Sequence, residues 1–324
     1  MSHGKVTSSS FQAPWWLKNC HAQTLWPRLN SSSALNTYRQ ERLELPDGDF
    51  VDLCWTPGQS GPLVAVFHGL EGSIDSPYAS AIMAAIHERG WRGVFMHFRG
   101  CSGEFNRLDR NYHSGDTGDI AFLLATLEKR YPGTAIAAIA YSLGGNALLK
   151  FLGENAGSSK LASAVAVSVP FQLDLCAHRL EKGFSRCYQA YLLKSLRDKT
   201  REKYHDRNIN LPLDELDTLK TFHLFDDRIT APLHGFKNVD DYYSRSSCRQ
   251  FLGKISTPTL ILQSRDDPFM SEDGIPAASE LGPGIELELA DRGGHVGFIS
   301  GKYPWCSQHW LQTRIPEYLQ HYLN

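Results

Sequence analysis

The spacing of apolar residues changes several times along the chain, and each change predicts an element. The segments TYRQERLEL (37–45) and FVDLCW (50–55) alternate apolar and polar positions about Pro46, Asp47 and Gly48, which predicts an antiparallel hairpin. The next segment, LVAVFHG (63–69), is apolar on successive positions, as in a strand covered on both faces. Helical and strand patterns then take turns: helix over 76–90, strand over 93–98, amphipathic helix over 117–133 ended by Pro-Gly, strand over 135–141, helix over 145–157 and strand over 162–170. Strands alternating with such helices predict a mostly parallel, doubly wound sheet with the hairpin at its edge.

The alternation stops after Pro170. Residues 172–250 carry many charges, with periodic apolar positions over 187–204 and 213–230, and read as an inserted helical cap without a core strand. Strand patterns resume over 257–264 and 285–290, and a last helix is expected over 305–323. Residues 1–36, rich in Ser, Pro and Trp, lack periodicity and are expected to wrap over the domain outside its sheet. The expected organisation is therefore an N-terminal wrapping segment (1–36), an α/β core (37–171 and 251–324) and the cap (172–250).

Composition narrows the function classes. Hydrophobic residues at 42% and charged residues at 21% predict a packed core, and 33 Lys+Arg against 35 Asp+Glu provide no field to attract a polyanion, so no nucleic-acid partner is expected. Seven cysteines, odd in number and without a C-x-x-C pair, read as reduced thiols of a cytoplasmic protein. The N-terminus has no basic end followed by an apolar run of signal-peptide length. The longest apolar stretches are interrupted by Ser, Gly and Asn and fall short of the roughly 18 residues a membrane-spanning helix needs.

The chemistry lies at strand ends. In AIAAIAYSLGGNALLKFL, Ser142 stands between a strand and a helix, with Ala140 two residues before and Gly144 two after. This is the G-x-S-x-G elbow pattern with Ala in its first position; small residues there permit the sharp turn that lifts the hydroxyl above the sheet. A Ser beside Gly at a helix start is ordinarily a cap, so the catalytic reading needs a base and a carboxylate as well. Both follow in the order this architecture uses, Ser, acid, His. RDDPFM after strand 257–264 supplies Asp266 and Asp267, and DRGGHVGF after strand 285–290 supplies His295. An oxyanion needs donors, and the expected pair is the backbone N–H groups of Leu143 and Leu70. His68 reads as a loop-holding residue, and His113 with Asp116 and Asp119 as a loop and helix cap. Neither a phosphate loop nor a G-x-G-x-x-G is present, and no cofactor or metal is implied.

The motifs HGLEGSIDSPY (68–78), FRGCSG (98–103), YHSGDTGDI (112–120), AYSLGGNALLKFLGE (140–154), RDDPF (265–269) and GGHVGF (293–298), with HAQT and WPRL near the N-terminus, together resemble the YheT-type branch of the α/β-hydrolases. The resemblance implies the α/β-hydrolase fold and cleavage of carboxylic esters, small-molecule or acyl-lipid. By position it makes Ser142 the nucleophile, Asp267 the acid and His295 the base. Acyl transfer with the same triad and a non-catalytic binding protein on the same fold are the alternatives. The cap is expected to set specificity, with Tyr188, Tyr191, Leu192 and Leu196 lining the acyl pocket.

Overall fold

A computed structural model describes residues 3–30, 37–58 and 60–323. Nine strands form one sheet: β1 (Lys5–Ser8), β2 (Arg39–Glu44), β3 (Phe50–Trp55), β4 (Leu63–Phe67), β5 (Arg92–Met96), β6 (Ile136–Tyr141), β7 (Ser163–Val167), β8 (Thr259–Ser264) and β9 (Ile285–Ala290). Their order is β1-β9-β8-β7-β6-β4-β5-β3-β2, parallel except for β3, which runs against both β2 and β5. The hairpin and its edge position match the sequence pattern. The N-terminus does not: Lys5–Ser8 pairs in parallel with Glu286–Leu289 and forms the opposite edge of the sheet. A lone four-residue edge strand has too few positions to show a period of two. The rest of the 1–36 segment contains α1 (Cys20–Leu29); residues 1–2 and 31–36 lie outside the described residues.

In β4 the period of two separates the two cores. Leu63, Ala65 and Phe67 face a cluster built with α3 (Gly118–Arg130) and α4 (Leu143–Glu154), whereas Val64 and Val66 face one built with α2 (Pro77–Glu88) and α10 (Leu311–Gln320). Burial on both faces explains the unbroken apolar run. Because β4 lies between β5 and β6, the chain winds outward through α2 and back through α3. The loops after β4 and β6 therefore diverge to opposite faces, opening a crevice at the carboxyl ends of the strands.

Between β7 and β8 the chain forms α5 (Leu173–Leu180), α6 (Ser185–Tyr204), α7 (Phe222–Phe225), α8 (Ala231–Leu233) and α9 (Val239–Ser246), with a third apolar cluster among them. The helix expected over 213–230 is broken. A 3-10 turn covers Leu213–Thr218, the Thr221 hydroxyl caps α7 at Leu224 N–H, and Asp226–Thr230 forms a π turn in which Thr230 donates to Asp226. Short polar side chains that bond nearby groups compete with a continuous helix. The final helix is also shorter than expected, because Ile299–Ser300 and Gln308–His309 pair as a small hairpin (β10, β11) before α10.

Candidate active site

Ser142 is the single residue between β6 and α4, and its backbone sits at φ 51°, ψ −118°. A non-glycine residue there is strained by about 1–3 kcal/mol and persists only where its surroundings over-determine it. They do so here. Ser142 N–H donates to Val167 O at 2.8 Å, and Ser142 O accepts from Asn146 N–H at 3.0 Å. A Cβ on Gly144 would lie 2.4 Å from the His68 carbonyl oxygen, so only glycine lets α4 start against the loop after β4. The small residue expected at 144 for the sharp turn thus also answers to close approach of neighbouring backbone.

The Ser142 Oγ lies 3.0 Å from His295 Nε2, and His295 Nδ1 lies 2.9 Å from Asp267 Oδ2. Asp267 is buried, and its Oδ1 also accepts from Phe269 N–H at 2.8 Å. Asp266 turns the other way: its Oδ1 accepts from Gly294 N–H at 3.0 Å, in the loop that carries His295, and burial pushes its carboxyl above its ordinary value. The two adjacent carboxylates thus face different partners, and only Asp267 meets the imidazole. Phe269 stacks on the His295 ring at 4.0 Å between centroids.

The His295 loop has no regular structure, and neighbouring side chains hold it. Val296 N–H donates to the Ser168 hydroxyl at 3.0 Å, and the Ser264 hydroxyl donates to Gly294 O at 2.7 Å. Sequence reading missed both serines. They end strands as ordinary polar residues, and the positive φ of Ser168 (52°), Val296 (56°) and Phe298 (46°) has no sequence signature.

The N–H groups of Leu70 and Leu143 donate to no acceptor among the described residues, and both residues border the cavity in front of Ser142. The loop holding Leu70 is tied by Gly69 N–H to Tyr78 and by Glu71 N–H to Tyr112. His68 is buried beneath it; its Nε2 accepts from Phe98 N–H at 2.9 Å and its Nδ1 faces Gly69 O at 2.6 Å. Burial pushes its pKa down to about 3, which suits a neutral ring that donates from Nδ1 and accepts at Nε2. The expected loop-holding role is met.

The cavity has an empty volume of about 590 Å³, counting its open mouth, and reaches Ser142 and His295. Its apolar wall comes mainly from α5 through Leu173, Ala177 and Leu180, with Leu192 of α6 and Phe269. Of the four residues expected to line it, Leu192 does so and Leu196 borders an adjoining cavity. Tyr188 packs against Phe269, and Tyr191, 58% exposed, faces away. Helical periodicity identifies an apolar stripe but not the neighbour it faces, so it could not separate these positions.

The model of the α/β hydrolase fold family matches residues 62–302. The chain belongs to this family. Within it, the chain is 45% identical over 98% of its length, and 95% of the other, to the YheT protein of Escherichia coli K12, which carries the name of an esterase and places the chain in that branch. It is 28% identical to the phospholipase ABHD3 of Bos taurus, over 93% of this chain and 76% of that one. Among solved structures, the esterase Pf2001 of Pyrococcus furiosus superposes with a TM-score of 0.59 at 17% identity, covering 89% of this chain and 94% of the other.

Other clusters in this α/β hydrolase are engaged elsewhere. Asp119 and Asp116 were expected at a helix cap. Instead, Asp119 receives both Arg99 Nε and Nη2 at 2.7 Å, and Asp116 pairs with Arg110 at 2.5 Å. Burial and these cations decide their use, which no local spacing reveals. The His113 ring lies 4.6 Å from that of His234, tilted by 56°, and burial pushes the His113 pKa down to about 3. Among the described residues, no group of three or more His, Cys, Asp or Glu is arranged to hold a metal ion, and no helix is long and apolar enough to cross a membrane.

Proposed function

We propose that this hydrolase cleaves carboxylic esters through an acyl-enzyme formed on Ser142. The observation that carries the reading is the unbroken Ser142–His295–Asp267 hydrogen-bond chain opening onto an apolar cavity. In this reading Ser142 Oγ attacks the ester carbonyl while His295 Nε2 takes its proton, and the same nitrogen returns the proton to the leaving alcohol. Water then attacks the acyl-enzyme with His295 again as base. Asp267 fixes the tautomer that presents a free Nε2, and the N–H groups of Leu70 and Leu143 receive the oxyanion. The apolar wall suits an acyl chain, and the relatives named esterase, phospholipase and, in Saccharomyces cerevisiae at 26% identity, monoacylglycerol lipase support small-molecule or acyl-lipid esters as substrates. The reading includes residues 172–250 as a specificity cap and a cytoplasmic location, the latter resting on the scattered cysteines.

The test is labelling with a fluorophosphonate probe together with turnover of acyl esters of graded chain length. Ser142→Ala is expected to abolish labelling and to lower turnover by about 10⁴ to 10⁶-fold. Labelling that persists in the variant would overturn the assignment. Products formed with competing alcohol or thiol acceptors separate hydrolysis from acyl transfer.

A further inference from the structure

The segment of the chain that precedes the hairpin contributes to the site by packing on the loop that carries His295. α1 is capped by Asn19, whose side chain accepts from His21 and Ala22 N–H, and it lies directly on the His295 loop. His295 N–H donates to the Thr24 hydroxyl at 3.0 Å, and that hydroxyl donates in turn to Cys20 O at 2.8 Å. One residue earlier, the buried Gln23 side chain donates to Leu17 O and Ile299 O at 2.9 Å and accepts from Ile299 N–H at 2.7 Å, which fixes the chain just after the loop. The fit leaves no spare space. A Cβ on Gly294 would lie 2.5 Å from Cys20 O, and one on Gly297 would lie 2.5 Å from Gln23 O. Gly294 and Gly297 are therefore required by the approach of α1, a reason separate from the hydrogen bonds.

The same helix reaches the face of the imidazole. His21 Nδ1 lies 3.2 Å from the Tyr188 hydroxyl of α6, Tyr188 stacks on Phe269 at 4.9 Å, and Phe269 stacks on His295. Thr24 thus holds the backbone of His295, while His21 steadies the aromatic stack over its ring.

We infer that α1 is a positioning element for the base, with Thr24 as its positioning residue: its hydroxyl sets where the His295 backbone sits and hence where Nε2 meets Ser142. The inference rests on the reading of His295 as the base. Removing the acceptor leaves the His295 N–H unpaired in a partly buried loop, and the loop moves to recover a partner. A misplacement of up to about 1 Å at a reacting group lowers the chemical step by up to about a hundredfold while leaving the cavity that holds an acyl chain in place.

The experiment compares the full-length protein with Thr24→Val, which keeps the shape and loses the hydroxyl, and Thr24→Ser, which keeps the hydroxyl. We expect Thr24→Val to lower kcat for a short-chain p-nitrophenyl ester by about ten- to a hundredfold. KM should stay within about twofold, the rate of fluorophosphonate labelling should fall in parallel, and Thr24→Ser should restore both. A role confined to packing predicts the reverse: a lowered melting temperature with kcat and labelling rate kept. Wild-type kcat and labelling in Thr24→Val, or a Thr24→Ser variant as impaired as Thr24→Val, would overturn the inference. Should Thr24→Val fail to fold, Thr24→Ala removes the hydroxyl without placing a methyl in the same position and carries the same comparison. Ser142→Ala runs beside them: labelling that survives there defeats the triad reading itself, whereas labelling lost there and unchanged in Thr24→Val defeats only the role of α1.

Discussion

Adjacent acidic residues at the end of β8 divide two tasks, since successive residues leave a strand end in different directions. Asp267 meets His295 Nδ1, while Asp266 anchors the same loop through Gly294 N–H. Asp267→Asn is therefore expected to cost about 10⁴-fold in kcat, by presenting the wrong partner to the imidazole. Asp266→Asn, which keeps an acceptor for Gly294, is expected to cost far less; the reverse order in steady-state kinetics would move the acid to Asp266. Another carboxyl at this scale is Asp226, which lines the cavity and accepts from Thr230 and Tyr243. Burial raises its pKa to about 6, above the unfolded value near 3.9. The protonated form therefore stabilises the fold below about pH 4, and that contribution is lost as pH rises through 6. It amounts to at most about 3 kcal/mol, at about 1.4 kcal/mol for each unit between the two values. Asp226→Asn cannot ionise, so its melting temperature should exceed that of the wild type at pH 8, and most of that advantage should be gone at pH 4.5.

At the scale of elements, the site depends on how closely α4, α5 and the loop after β4 approach one another. Gly144 lets the start of α4 abut the His68 carbonyl, which brings the Leu70 and Leu143 amides to one cavity. α5 supplies most of the opposite wall. Enlarging the cavity at Leu173 and Leu180 by substitution to Ala should shift the ester preference toward longer or bulkier acyl groups. Each methylene gained or lost in such a pocket changes discrimination by about 1–3 kcal/mol. Fluorophosphonate labelling of Ser142 should remain. The same truncation at the outward-facing Tyr191 is expected to leave the profile unchanged, and a flat profile for the α5 variants would place the acyl pocket elsewhere.

Across the whole molecule, one buried cation joins parts distant in sequence. Arg99 bonds Asp119 of α3 and, through Nη1, Asp47 at 2.7 Å and Asp49 at 3.0 Å in the β2–β3 turn. Asp49 is also buried and accepts from Asn106 at 2.6 Å and from Arg107 N–H at 2.8 Å, so the edge hairpin, α3 and the 106–111 loop close on a single charge network. Removing one partner of a buried network leaves the others uncompensated, at a cost of about 3–5 kcal/mol. Arg99→Met is expected to lower stability by that amount in urea denaturation. A loss below about 1 kcal/mol would show that water compensates the carboxylates.

How much of this was legible before folding follows from the range of each interaction. The alternation in β2 and β3, the apolar run of β4 and the helix periods of α2, α3 and α4 are local patterns, because each element must cover its own backbone and bury its own face. The elbow at Ser142 and the strand-end positions of Asp267 and His295 are local too, so the candidate triad and the fold class could be read from the sequence. Contacts between distant segments could not. Four residues, Lys5–Ser8, become a sheet edge only because β9 offers unpaired backbone groups there. Thr24, Ser168 and Asp266 hold the His295 loop only because α1, β7 and β8 converge on it. Which apolar stripe of residues 172–250 faces Ser142 was likewise decided by packing, which put α5 over the cavity and turned Tyr191 outward. Local sequence carries backbone preference and the period of burial, whereas the partner of each buried or hydrogen-bonded group is chosen by the assembled chain.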